Sequence, residues 1–281
     1  MPARSRTGNL GPLICSVGVP GLLQLSDPHL LADPRGHCRG RPSMASLRHG
    51  LRQALSQIDQ PPDLLLITGD LCQDESWGGY RRLQEVLEDV EPLREVPLAL
   101  TPGNHDHPAL MRSALGRRAV IAPAALDLGD WTLLLLSSHR SGAVAGFLDP
   151  RQLAWLERQL ELADQPVVLA LHHPPVSIGD SGLDPIALQD PGPFLRCLQR
   201  APALKAVLFG HVHQHWQGEL PRSGAGSPIP LWACPSSLAS FAAVQPCPLG
   251  RPDWPGGRWL TLQPSGEVAS TLLRWSPVES A

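Results

Sequence analysis

Five short polar clusters, each directly after an apolar run, constrain this chain more than any other feature of its sequence. The runs are short and rich in Leu, Val and Ile, which predicts buried strands. In an open α/β sheet, ligands bind at the carboxyl ends of the strands. The clusters are Asp27-Pro28-His29, Gly69-Asp70, Gly103-Asn104-His105-Asp106, His172-His173 and Gly210-His211-Val212-His213. We therefore expect one folded unit that brings all five clusters to a single sheet edge.

Helical periods alternate with the strand-like runs. Apolar residues at helical spacing predict one helix over residues 44–58 and another over residues 150–163, where Pro150 suits the first turn. This alternation is typical of βαβ units around a largely parallel sheet, so the fold class is α/β. Strands are predicted over residues 22–26, 63–68, 97–101, 131–137, 167–171, 206–209, 231–233, 259–262 and 268–273. We expect an N-terminal extension over residues 1–20, one domain over 21–275 and a tail over 276–281.

Charge and hydropathy exclude several functions. The formal net charge is −3 and no long run carries one sign, so no nucleic-acid partner is expected. No apolar run approaches the roughly 20 residues of a membrane helix. Gly18, Pro20 and Gly21 interrupt the apolar stretch near the N-terminus, which argues against a signal peptide. The sequence therefore predicts a cytoplasmic protein with no membrane partner.

The cysteines indicate no closed metal site. The six cysteines are widely spaced and none lies in a CxxC pair, so reduced thiols are expected in preference to disulfides. None of them falls in the five polar clusters, which disfavours a structural zinc site.

Each cluster has an ordinary explanation when it is taken alone. Asp27 could cap a turn, Gly69-Asp70 is a common turn dipeptide, and His172-His173 before two prolines could end a strand. His211 and His213 are more telling, because alternate residues of an extended segment point the same way. Five such clusters at five strand ends together predict a metal site. Carboxylate, imidazole and amide oxygen suit Mn, Fe, Zn or similar divalent ions.

The order of the motifs, D-x-H … GD … GNHD … H … GHxH, resembles the calcineurin-type metallophosphoesterases. Flanking segments, such as Gly69–Asp74 and Pro235-Ser236-Ser237, resemble the bacterial class III cyclic-AMP phosphodiesterases. Glycerophosphodiesterases share much of that flanking similarity, including Asp184-Pro185-Ile186. The resemblance covers nearly all of residues 21–275 and implies a four-layer α/β/β/α sandwich with two mixed β-sheets.

The resemblance also implies a role for each motif residue. One metal would be held by Asp27, His29 and His213, the other by Asn104, His172 and His211, and Asp70 would bridge the two. A water or hydroxide between the metals would attack phosphorus. His105 would be the catalytic residue, donating a proton or hydrogen bond to the leaving oxygen. Substrate contacts are expected from Asn104, His105 and His213. His173, the neighbour of His172, could contact substrate or only pack.

Some assignments stay open at this point. Asp74 or Asp106 could orient His105, and Asp106 could equally be a solvated loop acid. His215 continues the alternation after His213 and could face the rim of the cleft. The two divalent ions are expected to be Fe or Mn, with Zn, Co and Mg as alternatives. Ser137 stands where related enzymes often carry an acidic residue, which bears on substrate preference.

The sequence features allow three functions. The favoured one is a phosphodiesterase for 3′,5′-cyclic nucleotides, with cyclic AMP as the expected substrate. The second is a phosphodiesterase for glycerophosphodiesters or other small phosphate esters, including nucleotide monoesters. The third is a non-catalytic scaffold, against which the intact ligand set and His105 argue. The expected partner is a small-molecule phosphodiester or cyclic nucleotide, and the expected state is a monomer or homodimer.

Overall fold

The computed structural model describes residues 18–279. Residues 1–17, which hold most of the expected N-terminal extension and Cys15, lie outside that range, as do residues 280 and 281. The described helices are α1 (Ser43–Leu55), α2 (Trp77–Asp89), α3 (Pro108–Leu115), α4 (Pro150–Leu162) and α5 (Gly192–Arg200), with short 3₁₀ turns at Glu91–Leu93 and Asp184–Ile186. The strands are β1 (Gly21–Leu25), β2 (His37–Cys38), β3 (Arg41–Pro42), β4 (Leu64–Thr68), β5 (Leu98–Thr101), β6 (Ala119–Ile121), β7 (Ala124–Asp127), β8 (Thr132–Leu135), β9 (Val167–Ala170), β10 (Leu204–Phe209), β11 (Trp216–Leu220), β12 (Ile229–Ala233), β13 (Gly256–Leu262) and β14 (Val268–Arg274).

The strands form two large mixed sheets and one small hairpin. The first sheet has the order β14-β13-β1-β4-β5-β6, with β1, β4, β5 and β6 parallel and β13 antiparallel to β1. The second has the order β11-β12-β10-β9-β8-β7, with four parallel strands inside and an antiparallel strand at each edge. The expectation of a single sheet edge was therefore wrong, whereas the two mixed sheets implied by the family resemblance are confirmed.

Alternation along the strands separates three apolar cores and so creates the four layers. In β1, Leu23 and Leu25 face α1 and α2, while Leu22 faces the second sheet. In β9, Val167 and Leu169 face α4 and α5, while Val168 and Ala170 lie in the core between the sheets. Side chains of successive strand residues point to opposite faces, so each sheet is covered on both sides. This explains why inner strands such as β4 and β9 are uninterrupted apolar runs.

Several short elements were missing from the sequence prediction. β11 is an edge strand in which only Trp216 and Leu220 are buried, so it contains no apolar run. α3 is eight residues long and starts directly after the Gly103–Asp106 cluster. α5 begins among Pro191, Gly192 and Pro193, residues that normally signal a loop. These elements lie at edges or are short, where periodicity is weakest.

Five cysteines lie in the described part of the chain. Within it, Cys38, Cys72, Cys197, Cys234 and Cys247 are free thiols. No helix between residues 18 and 279 has the length and apolar character needed to cross a membrane.

Candidate metal centre

The five polar clusters follow β1, β4 and β5 of the first sheet and β9 and β10 of the second. The loops after β1 and β4 stay paired, since the Asp27 amide donates to the Gly69 carbonyl and the His29 amide to the Asp70 carbonyl, both at 3.0 Å. Gly103 permits the close approach of the next loop, because a Cβ there would collide with the Asp70 carboxylate. All seven predicted ligands thus meet where the two sheets face each other.

One group of donors consists of Asp27, His29, Asp70 and His213, whose ligand atoms lie within 4.8 Å of one another. The Nε2 atoms of His29 and His213 are 3.1 Å apart, and His213 Nε2 lies 3.3 Å from Asp27 Oδ1. Asp27 Oδ1 is buried and accepts no hydrogen bond within the described chain. A buried carboxylate oxygen and two imidazole nitrogens aimed at one point fit a cation placed between them.

The second group contains Asn104, His172 and His211. Asn104 Oδ1 lies 3.0 Å from His211 Nδ1 and 3.2 Å from His172 Nε2, and those two nitrogens are 3.3 Å apart. All three atoms could act as ligands of one ion, because each has a lone pair available in the appropriate tautomer.

Asp70 lies between the two groups. Its Oδ1 is 3.5 Å from His172 Nε2, and its Oδ2 is 3.9 Å from His29 Nε2. One carboxylate can therefore reach both clusters with different oxygens, which is the geometry required of a bridging ligand.

Backbone carbonyls orient two of the imidazoles. His172 Nδ1 donates to the Thr68 carbonyl at 2.7 Å, and His213 Nδ1 donates to the Ala239 carbonyl at 3.1 Å. Such a bond fixes the tautomer and leaves Nε2 as the free ligand atom. Sequence analysis did not identify these carbonyls, because a main-chain acceptor leaves no mark on residue type.

Buried charges in the centre favour cation binding. Burial lowers the pKa of His29 and of His211 to about 3, so both rings are neutral. Burial would raise the pKa of Asp70, but the charge of His172 holds it well below its usual value. At His172, burial would lower the pKa, but the charge of Asp70 raises it to about 9. Without metal, a proton on His172 thus balances part of the carboxylate charge. A divalent ion would displace that proton.

The backbone of the centre is strained. Asp27, His29, Asp70, His211 and His213 all adopt positive φ, between 45° and 68°. A residue with a side chain adopts this conformation at a cost of about 1–2 kcal/mol. Strain of this kind persists only where the surrounding structure enforces it, and it concentrates at functional sites.

His105 lies at the open side of the centre. Its ring is 5.2 Å from that of His29, edge to face, and its backbone amide donates to Asp70 Oδ1 at 2.9 Å. His105 and Asn104 are partly exposed, whereas the other six predicted ligands are buried. A substrate can therefore reach His105 from solvent.

Neither carboxylate considered as the orienting partner of His105 contacts its ring. His105 Nδ1 lies 3.3 Å from Gln73 Nε2 instead, and Gln73 Oε1 lies 3.5 Å from the Cys38 thiol. Asp74 accepts from the Ala32 amide and the Ser76 hydroxyl. Of the alternatives left open by the sequence, the structure therefore favours neither carboxylate, and an amide side chain occupies that place.

Asp106 is also not the solvated loop acid that was considered. It is 1% exposed and accepts hydrogen bonds from the amides of Leu71, Cys72 and Gly103 and from the Tyr80 hydroxyl. Burial and the charge of Asp70 raise its pKa to about 7, against the effect of these donors. Asp106 joins the loop after β4 to the loop after β5, and so holds Asp70 beside Asn104.

Two other histidines, His173 and His215, lie inside the protein. Both ring nitrogens of His173 are engaged, by the Ser138 hydroxyl at 2.8 Å and the Val144 carbonyl at 2.9 Å, and the residue is fully buried. These contacts favour a packing role behind His172 over a substrate contact. His215 is buried and accepts from Arg258 at 3.0 Å, so it does not face the rim of the cleft.

Comparison with known proteins agrees with this geometry. The sequence profile of the calcineurin-like phosphoesterases matches residues 21–215. The chain belongs to this family. The hydrolase class predicted from the motifs is thereby confirmed, and the non-catalytic scaffold is not supported. A dimetal phosphatase from Danio rerio shares the fold, with a TM-score of 0.62 and 15% identity over 94% of this chain and 98% of that one.

Sequence relatives extend over nearly the whole chain. A protein of Synechococcus sp. (strain WH7803) named as a probable cyclic nucleotide phosphodiesterase is 49% identical, over 94% of this phosphoesterase and 99% of that relative. The 3′,5′-cyclic adenosine monophosphate phosphodiesterase of Pseudomonas aeruginosa is 33% identical, over 90% of this chain and 89% of its own length.

Proposed function

We propose that this phosphoesterase hydrolyses 3′,5′-cyclic nucleotides, with cyclic AMP as its substrate, at a centre of two metal ions. The observation that carries the proposal is the position of Asp70, which reaches both groups of ligand atoms with different oxygens. The choice of substrate is supported by the names of relatives that match over nearly their full length. A cytoplasmic location and a monomeric or homodimeric state remain predictions.

The donor set fits two divalent ions of the Fe or Mn type, because it combines carboxylate, imidazole and amide oxygen without thiolate. Asp27, His29 and His213 would hold one ion, Asn104, His172 and His211 the other, and Asp70 both. When bound, the ions would supply positive charge to the attacking and leaving oxygens of an in-line displacement.

His105 would donate a hydrogen bond to the leaving oxygen. The Cys38 thiol donates to Gln73 Oε1, so Gln73 turns its N–H toward His105 Nδ1. An imidazole that accepts at Nδ1 carries its proton on Nε2 when neutral. The ring can then present an N–H to the departing ribose oxygen and stabilise its developing negative charge, while solvent supplies the proton that the alkoxide takes up.

Asn104 and His213 would also contact the bound phosphate from either side of the centre. The similarity at Asp184-Pro185-Ile186 to glycerophosphodiesterases has a structural explanation, since Asp184 accepts from the Ser177 hydroxyl and the Ile178 amide and shapes its own loop. That stretch therefore gives no independent support to a glycerophosphodiester substrate.

The test is hydrolysis of cyclic AMP beside bis(p-nitrophenyl) phosphate, with Mn²⁺ added and after removal of metal by a chelator. We expect metal-dependent cleavage of both compounds and recovery when Mn²⁺ is restored. Cleavage of the generic ester alone would retain the metal mechanism and redirect the substrate to other small phosphodiesters. Undiminished activity of protein shown by elemental analysis to be metal-free would refute the mechanism.

A further inference from the structure

The small hairpin β2–β3 lies beside the metal centre and carries Arg39 at its tip. Cys38, next to Arg39, contacts Gln73, which in turn contacts His105. Both Arg39 and Asp70 influence the pKa of the Cys38 thiol, which burial raises. The hairpin tip is therefore close enough to the centre that the charges of Arg39 and Asp70 both act on the Cys38 thiol.

Arg39 is the outermost member of a three-layer stack. The ring of Phe241 stacks on that of His213, with centroids 4.4 Å apart and planes inclined by 6°. The guanidinium carbon of Arg39 lies 4.7 Å from the centroid of Phe241. The Phe241 amide also donates to the His213 carbonyl at 3.0 Å, so the phenyl ring is tied to a predicted metal ligand.

The charge of Arg39 has no carboxylate partner among residues 18–279. Its side chain is exposed, and its backbone has φ of 52°. A stacked guanidinium keeps its N–H groups free at the edge of its plane. Arg39 thus presents both a planar face and unused donors at the mouth of the site.

Distance determines which part of a substrate Arg39 can touch. The guanidinium is two stacked layers away from the His213 imidazole, too far to contact a phosphate oxygen held at the metal ligands. It can reach a group that extends from the phosphate toward solvent. In cyclic AMP that group is the purine, whose ring nitrogens accept hydrogen bonds and whose face stacks on cations and aromatic rings.

We propose that Arg39, supported by Phe241, is a specificity residue that binds the base of the cyclic nucleotide. This assignment rests on the proposed function. Arg39 would thereby distinguish substrates that carry a base from small phosphodiesters that bind at the same metal centre.

The test compares cyclic AMP with methyl ribofuranoside 3′,5′-cyclic phosphate, which has the same scissile bond and no base. Arg39→Ala should raise KM for cyclic AMP roughly 5- to 30-fold, the size of one stacked or hydrogen-bonded guanidinium contact, and leave its kcat unchanged. For the abasic compound, kcat/KM should change less than about twofold. Arg39→Gly should behave likewise, since glycine suits the positive φ and guards against misfolding of the hairpin.

Arg35→Ala is the matched control, because Arg35 is an exposed arginine of the same segment outside the stack. It should leave both substrates unaffected. Equal losses on both substrates, or no loss with Arg39→Ala and Arg39→Gly, would overturn the assignment and leave the proposed function intact. A wild-type enzyme that does not hydrolyse cyclic AMP would overturn the proposed function, and with it this assignment.

Discussion

The metal centre and the Arg39–Phe241 stack adjoin each other, yet they are built in opposite ways. Six of the seven predicted ligands are buried, and five have strained backbones enforced by the strands around them. Arg39 is exposed on a two-residue turn, and Phe241 lies in a segment without regular structure. The difference indicates that reaction chemistry and substrate choice are specified separately. Substitutions in the centre should act on kcat, whereas those in the stack should act on KM.

The strongest test of this division is His105→Ala. We expect kcat for cyclic AMP to fall about 10²- to 10³-fold, the usual contribution of one hydrogen-bond donor aimed at developing negative charge. Hydrolysis of bis(p-nitrophenyl) phosphate should fall much less, because p-nitrophenolate leaves without a proton. Steady-state kinetics on both substrates, with metal content measured in parallel, provide the readout. An equal loss on the two esters would argue against a hydrogen bond from His105 to the leaving oxygen.

A second test addresses the joint between the two loops of the centre. Asp106→Asn places an NH₂ group where a carboxylate oxygen now accepts hydrogen bonds, so at least one buried N–H loses its acceptor. The free energy of unfolding should fall by about 1–3 kcal/mol, and kcat should fall with it for both substrates. Chemical denaturation of the metal-free protein measures the first effect. Unchanged stability would show that Asp106 is not the joint described above.

The smallest expected effect concerns Gln73. Gln73→Leu removes the donor to His105 Nδ1 and should lower kcat for cyclic AMP about tenfold, the equivalent of one hydrogen bond of about 1.4 kcal/mol. Cys38→Ala, which leaves the amide in place, should change kcat less than about twofold. If Gln73→Leu raised KM and left kcat unchanged, Gln73 would belong with the substrate-binding stack. The separation between residues that act on kcat and residues that act on KM would then be wrong at this position.

Much of the fold and of the centre could be predicted from the sequence, for a common physical reason. Strands such as β4 and β9 are buried on both faces, so they appear as continuous apolar runs. The ligands follow directly at the ends of such strands. Edge strands such as β11 bury few side chains and give no comparable pattern.

The surroundings of the ligands were harder to predict, because they depend on contacts between distant segments. Asp106 resembles a loop acid in sequence, yet it meets donors from two other segments, the loop after β4 and helix α2, as well as one from its own loop. His172 and His173 are adjacent in sequence, but the His172 ring faces the other predicted ligands, whereas the His173 ring packs behind it. The Gln73 contact could have been suspected from its position three residues after Asp70, although residue type alone favoured the acid beside it.

The pairing of β1 with β13 has a consequence for how the chain folds. Residues 21–24 pair with residues 258–261, so the strand that leads to Asp27 and His29 keeps one edge open until the end of the domain has been synthesised. Contacts of such long sequence separation slow folding, and an open apolar edge favours pairing with other chains. The emerging chain should therefore be most prone to aggregate just before residues 256–274 leave the ribosome.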